Sequence, residues 1–597
     1  MRKAETVLNV ISDRSKRGLL LDEDVYRQLY NPDLYLRAYS RLYKNEGVLT
    51  EGVTSETADG MSLEKIHSLI EQLRYERWRW TAVRRTTIPK KNGKRRPLGI
   101  PTWSDKILQE VIRSILEAYY EPRFSDLSHG FRPGRGCHTA LQTIQRTWLG
   151  TTWFIEGDVH ACFDSIDHDI LLSILCESIR DNRFLRLIEQ LLKAGYMDAS
   201  AWNIHPTLSG TPQGGIVSPI LSNIYLDQLD QFVEKTLLPE YTRGEMREEN
   251  PEFSRLFKKA WHLKKTGRYD EAHELEKQYQ QMPSKVVDDP NYRRLRYIRY
   301  ADDFLLGFAG PLTEAREIKE KLREFLRDHL KLELSEEKTL ITHARTEVAK
   351  FLGYELATQQ ADSKHTDGKR SVNGVIALRV PAAFVEEKCA DYMANQKPVH
   401  RPELESEEDF TIVYHYQSRY RGYVQFYKLA INLAWLSRLK WVMETSLLKT
   451  LAHKHKTRVS RIVRQYKKKL KLPGGIRKCI AVTITREGKE PLKTYFGGIP
   501  LIRNPKATIV DLSTTNRKPT RSDLVKRLLA DVCEICGATG NIEVHHIHAL
   551  KDLKVKGQRE KPLWMQIMAA RRRKTLMVCK SCHDKIQYGK PTRLQRH

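Results

Sequence analysis

Hydrophobic and polar residues follow two periods along this chain. Residues 1 to about 75 and residues 375–455 show the three- to four-residue spacing of helices, whereas residues 86–101 alternate as strands around a turn. A highly charged segment, residues 228–290, also has helical spacing and is interrupted at Gly267, which predicts a helical insertion. A solvated hairpin without a direct role is the simplest interpretation of it. Together these patterns predict an α+β chain of several domains.

Four tyrosines form an aromatic stripe in the second helical region. Tyr416, Tyr420, Tyr423 and Tyr427 repeat at intervals of four, three and four residues, so they share one helix face. Such a stripe is more often part of a core than a platform for nucleic-acid bases, and both interpretations stay open at this point.

Three β-rich runs bring acidic residues to strand ends. Asp158 ends one run, and Asp302 with Asp303 lies between two others, which predicts a hairpin with two carboxylates at its turn. Carboxylates that converge on rigid strands can hold two divalent cations about 3.5–4 Å apart, and Mg²⁺ suits such oxygen ligands. Two such ions are what template-directed nucleotide addition needs. One ion would lower the pKa of the primer 3′-hydroxyl, and the other would neutralise the incoming triphosphate. Alone, the acidic pair also fits an ordinary turn.

Composition adds a nucleic-acid partner to this picture. The 597 residues carry 102 Lys and Arg against 74 Asp and Glu, a formal net charge of +28. Such an excess favours a polyanion, and residues 440–478 concentrate thirteen Lys and Arg against the single acid Glu444. We find no apolar run of the roughly 20 residues that a membrane span needs and no signal-peptide pattern. We therefore expect no membrane partner and a cytoplasmic location, in a bacterial or organellar interior.

Five ordered motifs resemble those of a known family. The Tyr-Ala-Asp-Asp of residues 300–303 matches the Tyr-x-Asp-Asp box of reverse transcriptases, and residues 88–101 resemble their fingers segment. Residues 128–135, 210–219 and 350–354 complete the order, and the set resembles group II intron-encoded proteins. The resemblance implies a right-hand fold with fingers, an antiparallel palm sheet and a helical thumb. It also implies RNA-directed DNA polymerase activity with two Mg²⁺ at the three carboxylates.

Five side chains take nucleotide-binding roles under this resemblance. Arg84, Lys90 and Arg96 would contact the incoming triphosphate of a dNTP, which needs several cations. Phe163 matches the aromatic steric gate that selects deoxynucleotides, and Gln213 would lie against the nascent base pair in a Gly-flanked loop. Surface cations and an ordinary core Phe are the alternative interpretations.

The resemblance also divides the chain. An N-terminal helical extension, residues 1–75, precedes fingers and palm at 76–370. A thumb or maturase domain at 371–455 is followed by a basic DNA-binding region and linker at 456–530, and a C-terminal module occupies 531–597. Thumb and basic region would contact nucleic acid mainly through phosphates and shape.

Two cysteine pairs mark the C-terminal module. Cys533-x-x-Cys536 and Cys579-x-x-Cys582 have the spacing of two zinc knuckles, and the other five cysteines are scattered. This pattern predicts a tetrahedral structural Zn²⁺ in a reducing compartment, not a disulfide framework. Without the metal, we expect so small a module not to fold.

Histidines near the knuckles resemble those of the His-Asn-His (HNH) nuclease module, a ββα-metal fold. The resemblance implies that His545 and His583 bind a divalent ion, Mg²⁺ by expectation, and that His546 activates water as general base. Gln587 departs from the family, since many members have a further His there. A zinc-stabilised DNA-binding module without cleavage is the alternative.

These features predict a mobile-intron enzyme. It would help a group II intron RNA to splice within a ribonucleoprotein, nick one strand of a target DNA, and extend the new end by copying the RNA. The alternatives are a maturase with a vestigial polymerase site and a reverse transcriptase of a retron or defence system. Intact Asp158, Asp302 and Asp303 disfavour the first, and the nuclease tail disfavours the second.

Overall fold

A computed structural model describes most of the chain. The described residues are 2–22, 24–89, 93, 95–198, 203–205, 207, 209–211, 214–286, 289–366, 369–473, 475–486, 489–509, 523–553, 561–571 and 573–588. Two of the predicted nucleotide-binding residues, Lys90 and Gln213, lie outside them. Among the described helices, none combines the length and the apolar composition that a bilayer span requires.

The N-terminal region packs on the first long helix of the fingers. Its elements are α1 (Ala4–Lys16), α2 (Val25–Gln28), α3 (Pro32–Leu42), β1 (Met61–Ser62) and α4 (Leu63–Arg74), and the long helix is α5 (Trp103–Tyr120). Helices α1 and α3 both contact α5. Thr102 caps α5, because its hydroxyl accepts a hydrogen bond from the Asp105 N–H at 3.3 Å. The predicted N-terminal helices are thus docked onto the body of the protein.

Two sheets build the fingers and the palm. Their strands are β2 (Val83–Pro89), β3 (Arg95–Ile100), β4 (Ser128–His129), β5 (Trp153–Asp158), β6 (Tyr196–Asp198), β7 (Ile204–His205), β8 (Arg294–Tyr300), β9 (Asp303–Ala309) and β10 (Ile341–His343). The fingers order is β3-β2-β6-β7 and the palm order is β10-β5-β9-β8-β4. The palm pairs are antiparallel, as the family resemblance implied, with one exception: β4 and β8 run parallel.

Helices surround these sheets. They are α6 (Cys137–Thr147), α7 (Cys162–Ser165), α8 (His168–Ser178), α9 (Asn182–Lys193), α10 (Ser218–Phe232), α11 (Leu238–Glu240), α12 (Pro251–Lys265), α13 (Tyr269–Gln280) and α14 (Leu312–Leu330). Helices α12 and α13 form a hairpin that turns at Gly267, whose φ is 78°, in agreement with the helical pattern of the insertion. Phe253 and Phe257 stack within it, with ring centroids 6.1 Å apart.

Successive residues of the palm strands face two different cores. Ile155, Phe304 and Leu306 belong to a core that extends into the N-terminal region and the C-terminal module. Phe154 and Leu305 belong to a second core shared with the thumb. Because side chains alternate along a strand, the palm sheet is buried on both faces.

The stretch from residue 349 to residue 496 mixes helices and strands, and it covers the end of the predicted palm, the predicted thumb and part of the predicted basic region. Its elements are β11 (Ala349–Phe351), β12 (Tyr354–Thr366), β13 (Lys369–Arg379), α15 (Ala382–Ala390), β14 (Met393–Ala394), β15 (Lys397–Pro398), α16 (Asp409–Phe426), α17 (Leu436–Lys454), α18 (Val459–Tyr466), β16 (Lys467–Leu472), β17 (Gly475–Arg486) and β18 (Lys489–Phe496). Tyr416 and Tyr420 are fully buried, which confirms the core interpretation of the aromatic stripe.

Two parts of this stretch, one in the predicted thumb and one in the predicted basic region, differ from the sequence prediction. The helical pattern predicted from residue 375 begins instead with β13, because β-branched Val375 and Ile376 extend its pairing with β12. Residues 467–496 form the sheet β16-β17-β18, which was not predicted. Its apolar positions, such as Leu470, are interleaved with lysines, so charge masked the strand pattern.

The C-terminal module shares a sheet with the N-terminal region. It contains α19 (Asp523–Leu529), β19 (Ile542–His546), α20 (Leu563–Arg571), β20 (Thr575–Cys579) and α21 (Lys580–Tyr588). Strand β1 pairs antiparallel with β19, and Met61 lies opposite Val544 in the order β1-β19-β20. The two ends of the chain therefore meet in one three-stranded sheet.

A buried ion pair fixes the turn end of the palm hairpin, where Arg299 pairs with Phe304. The Arg299 guanidinium donates to both carboxylate oxygens of Asp230 at 2.8 and 2.5 Å, and both side chains are fully buried. It also donates to the Ala301 carbonyl, the Asn223 amide oxygen and the Ser128 hydroxyl at 2.8, 3.2 and 2.8 Å. Burial without such a set of partners would be costly for an ion pair.

Removal of this ion pair tests its structural weight. We expect Asp230→Asn to lower the free energy of unfolding of the palm by about 3–5 kcal/mol, because the buried guanidinium loses its counter-charge. The urea transition followed by tryptophan fluorescence measures this. Glu320→Gln is the control, because it removes an exposed pair with Arg323 and changes stability by at most about 0.5 kcal/mol. An equal effect of both substitutions would contradict the prediction.

Candidate active sites

A tight turn presents two acidic residues at the rim of the palm. Strands β8 and β9 are joined through Ala301 and Asp302, and Tyr300 pairs with Asp303 across the turn. Ala301 has φ 54°, as two-residue hairpin turns require at that position. Its N–H donates to the His129 carbonyl at 2.9 Å. Gly130 permits this approach, since a Cβ there would lie 2.9 Å from the Ala301 nitrogen.

The three predicted carboxylates meet at this turn. Asp158 lies directly opposite Asp303 in the β5–β9 pair. The Val159 N–H donates to the Asp302 carbonyl at 3.4 Å, which holds the end of β5 against the turn. Residues far apart in sequence are thus brought together by one sheet register.

Mutual repulsion and burial shape the charge of this site. Burial, a hydrogen bond with Asp158 and the neighbouring charges raise the pKa of Asp303 to about 7. Burial and the Asp158 charge also raise the pKa of Asp302. Lys338, which the sequence did not single out, places its ammonium 2.7 Å from an Asp158 carboxylate oxygen. Crowded carboxylates of this kind attract cations, so the donor set fits divalent metal ions.

Phe163 lies on the short helix α7, five residues after Asp158. The chain leaves β5 through Ala161, whose φ is 45°, and this turn sets the position of α7. The Phe163 ring meets Phe131 edge-on at 6.3 Å between centroids. Its carbonyl accepts from the Thr211 N–H at 2.7 Å, so the loop that leads to Gln213 contacts the same helix.

The two described fingers cations have different surroundings. Arg84 donates two hydrogen bonds to the Glu51 carbonyl, at 3.1 and 2.7 Å. Arg96 is close enough to Asp302 for its charge to lower the pKa of that carboxyl, against the effect of burial. Arg96 therefore lies near the carboxylates, a proximity that the sequence alone could not show.

The C-terminal module places two of its predicted histidines together with an unpredicted carboxylate. His545, His583 and Asp59 each offer a ligand atom within 4.8 Å of the others. His545 Nδ1 lies 3.4 Å from Asp59 Oδ1, and His583 Nε2 lies 3.3 Å from Asp59 Oδ2. Burial alone would raise the pKa of Asp59, but the two imidazoles and the His546 N–H hold it below its usual range. Nitrogen and oxygen donors so grouped fit a divalent transition metal or Mg²⁺.

His546, the predicted general base, faces a tyrosine from the N-terminal region. Its Nε2 lies 2.7 Å from the Tyr39 hydroxyl. Burial lowers the pKa of His546 to about 4, so the imidazole is neutral at pH 7. The sequence could not predict either N-terminal partner, Tyr39 or Asp59, because both are far from His546 along the chain. Asp59, which accepts from the His546 N–H, lies 487 positions away.

The four predicted zinc ligands form one cluster. Each of Cys533, Cys536, Cys579 and Cys582 offers a sulfur within 4.8 Å of the others, and the sulfurs of Cys536 and Cys579 are 3.7 Å apart. Such spacing fits the edges of a tetrahedral thiolate site.

Comparison with protein families agrees with this geometry. The family described as reverse transcriptase (RNA-dependent DNA polymerase) matches residues 88–356, type II intron maturase matches 380–485, and AI2M/AI1M-like HNH endonuclease matches 533–583. The fold and the palm site therefore define an RNA-directed DNA polymerase with an HNH endonuclease domain.

Related proteins specify the family. The group II intron-encoded protein LtrA of Lactococcus lactis subsp. cremoris is 38% identical, over 98% of this chain and 99% of its own. An uncharacterized 91 kDa protein in the cob intron of Schizosaccharomyces pombe is 33% identical, over 99% of this chain and 73% of its own. This chain belongs to the group II intron-encoded proteins, as the sequence motifs predicted. Its domains imply divalent metal use and the binding of intron RNA and DNA.

Loss of one cysteine tests the predicted zinc site. We expect Cys536→Ser to reduce bound zinc from about one ion per chain to none, because a structural site needs all four ligands. Metal analysis by plasma mass spectrometry measures this. Cys176→Ser is the control, since that thiol is exposed and outside the cluster. Zinc retained by the Cys536 variant would contradict the assignment.

Proposed function

We propose that Asp158, Asp302 and Asp303 hold two Mg²⁺ ions and so form the polymerase centre of this intron-encoded protein. The observation that carries the proposal is the direct Asp158–Asp303 pairing on adjacent strands, with Asp302 at the turn beside them. The bound ions would activate the primer 3′-hydroxyl and neutralise the leaving pyrophosphate. The carboxylates themselves fix where the primer end and the triphosphate meet.

The surrounding side chains select and orient the dNTP. Phe163, on a helix held by the β5 turn, crowds the ribose 2′ position and so favours deoxynucleotides. Arg96, near Asp302, and Arg84 contribute positive charge for the triphosphate. Lys90 and Gln213 keep the roles that the sequence resemblance implies, contact with the triphosphate and with the nascent base pair.

The C-terminal module would nick one strand of target DNA. His545 and His583 hold a divalent ion, and His546 takes a proton from the attacking water. With Nε2 of His546 engaged by Tyr39, its Nδ1 is the atom left to accept this proton. His546 also lines a cavity of about 610 Å³ together with Lys44 and Lys574, and these two cations suit a DNA phosphate. Zn²⁺ on the four cysteines would keep the module folded.

The two activities join in one sequence of events. The nick supplies a DNA 3′-hydroxyl, and the palm extends it with dNTPs while it copies the intron RNA. The thumb or maturase domain, predicted at residues 371–455, and the basic region at 456–530 hold the RNA and the duplex. Exposed Lys468, Lys469 and Lys471 on β16 support this, because cations on an open sheet contact phosphates.

Two variants separate the activities and act as controls for each other. Asp302→Asn should reduce DNA synthesis on poly(rA) with oligo(dT), Mg²⁺ and dTTP by at least about 100-fold, because it removes a metal ligand. It should leave nicking of the target DNA by the ribonucleoprotein intact. His546→Ala should do the reverse, with a loss of roughly 10²–10⁴-fold in nicking. Unchanged synthesis in Asp302→Asn would refute the polymerase assignment, and unchanged nicking in His546→Ala would refute the base.

The gate is tested by nucleotide choice. We expect Phe163→Ala to raise the relative efficiency of ribonucleotide incorporation by roughly tenfold or more, because the clash with the 2′-hydroxyl is relieved. Single-nucleotide extension with rTTP against dTTP measures the ratio. Phe163→Tyr keeps the ring and should preserve discrimination. An unchanged ratio in Phe163→Ala would rule out the gate.

A further inference from the structure

The nuclease centre contains a carboxylate from the opposite end of the chain. Asp59 stands two residues before β1, and the backbone fixes it there, since the Gly60 N–H donates to the Val544 carbonyl at 3.0 Å. Asp59 Oδ1 accepts from the His546 N–H at 2.7 Å. The β1–β19 pairing thus delivers this side chain to the histidines.

The separations match those of ligands around a single ion. Donors about 2.1 Å from one ion lie roughly 3.0–3.4 Å apart in octahedral or tetrahedral geometry. Asp59 approaches His545 at 3.4 Å and His583 at 3.3 Å. The ligand atoms of all three residues lie within 4.8 Å of one another, so one cation can lie between them.

Both histidines are oriented for such a cation. His583 Nδ1 lies 2.6 Å from Glu543 Oε2, which leaves Nε2 directed at Asp59. A second carboxylate on the far ring nitrogen is the usual support of a metal-binding histidine. The His545 side chain is only 9% exposed; its Nδ1 faces Asp59 Oδ1 at 3.4 Å, and its Nε2 has no hydrogen-bond partner among the described residues. A buried donor set left unsatisfied is costly unless a ligand uses it.

Gln587 stands where many family members have a further histidine, and its side chain contacts the Asp59 carboxylate. Its amide nitrogen donates to Asp59 Oδ2 at 2.6 Å and lies 3.4 Å from His583 Nε2. Gln587 therefore positions Asp59, and Asp59 would supply the metal ligand that the missing histidine supplies in other family members.

We propose that Asp59 is the third protein ligand of the nuclease metal, so that this centre is completed by the N-terminal region. The proposal rests on the nuclease metal site proposed above for His545 and His583. If Asp59 is a ligand, the nuclease site binds its metal at full affinity only when β1 is paired with β19.

Metal binding by the full chain tests this directly. The background is the full-length Asp302→Asn/Asp303→Asn protein with its zinc retained, so that the palm does not compete. Free Mn²⁺ is titrated and followed by electron paramagnetic resonance in this background and with Asp59→Asn, His545→Ala or Glu64→Gln added. Glu64→Gln is the matched control, since it removes an exposed carboxylate five residues from Asp59.

We expect Asp59→Asn and His545→Ala each to weaken Mn²⁺ binding by at least about tenfold, while Glu64→Gln leaves it unchanged. Asp59→Asn with unchanged affinity, beside a weakened His545→Ala, would overturn the role of Asp59 alone. Unchanged affinity in His545→Ala would overturn the nuclease metal site itself.

Hydrogen exchange separates loss of a ligand from loss of docking. In Asp59→Asn the amides of residues 60–62 and 542–546 should stay protected, because the amide side chain is nearly isosteric. Weak binding accompanied by exposed strands would overturn the ligand role. Asp59→Asn/Gln587→His should recover most of the affinity by placing an imidazole beside His583, and failure to recover would count against a ligand at this position.

Discussion

One buried ion pair sets the geometry on which the proposed polymerase centre depends. Arg299 and Asp230 are fully buried, and the same guanidinium holds the Ala301 carbonyl at the turn between the two strands. Helix α10, through Asp230, therefore binds the hairpin next to the turn that bears Asp302 and Asp303. The other hydrogen bonds of this guanidinium go to buried side chains, Asp230, Asn223 and Ser128, so the turn is held from several sides. A rigid turn suits ligands that must keep two ions at a fixed separation.

The palm sheet connects this turn to both halves of the molecule. One face lies in a core with the N-terminal helices and the C-terminal module, and the other lies in a core with the thumb. Strain in either core would be transmitted to the same strands, because packed interiors transmit small displacements. Polymerase and nuclease centres are therefore supported by continuous packing, although their chemistry is separate.

The sequence revealed much of this architecture, but mainly where the signal was local. The β8–β9 hairpin, the buried tyrosines and the cysteine cluster each followed from spacing within a few residues. Contacts between distant segments gave no such signal: neither Asp59 nor Tyr39 has a motif. Asp59 reaches the histidines through the β1–β19 register, and Tyr39 reaches His546 from helix α3. Glu543 could have been noticed, since it lies two residues before His545 on the same face of a strand. The β16–β18 sheet was hidden because lysines occupy its solvent positions.

The meeting of β1 with β19 also has a consequence for biosynthesis. Ribosomes release a chain from its N-terminus, so β1 emerges long before Val544, the residue it pairs with. The three-stranded sheet, and the part of the shared core that the C-terminal module fills, can close only after β20 has been translated. A translation product that stops before β19 would thus leave β1 without its partner strand and could not cut DNA.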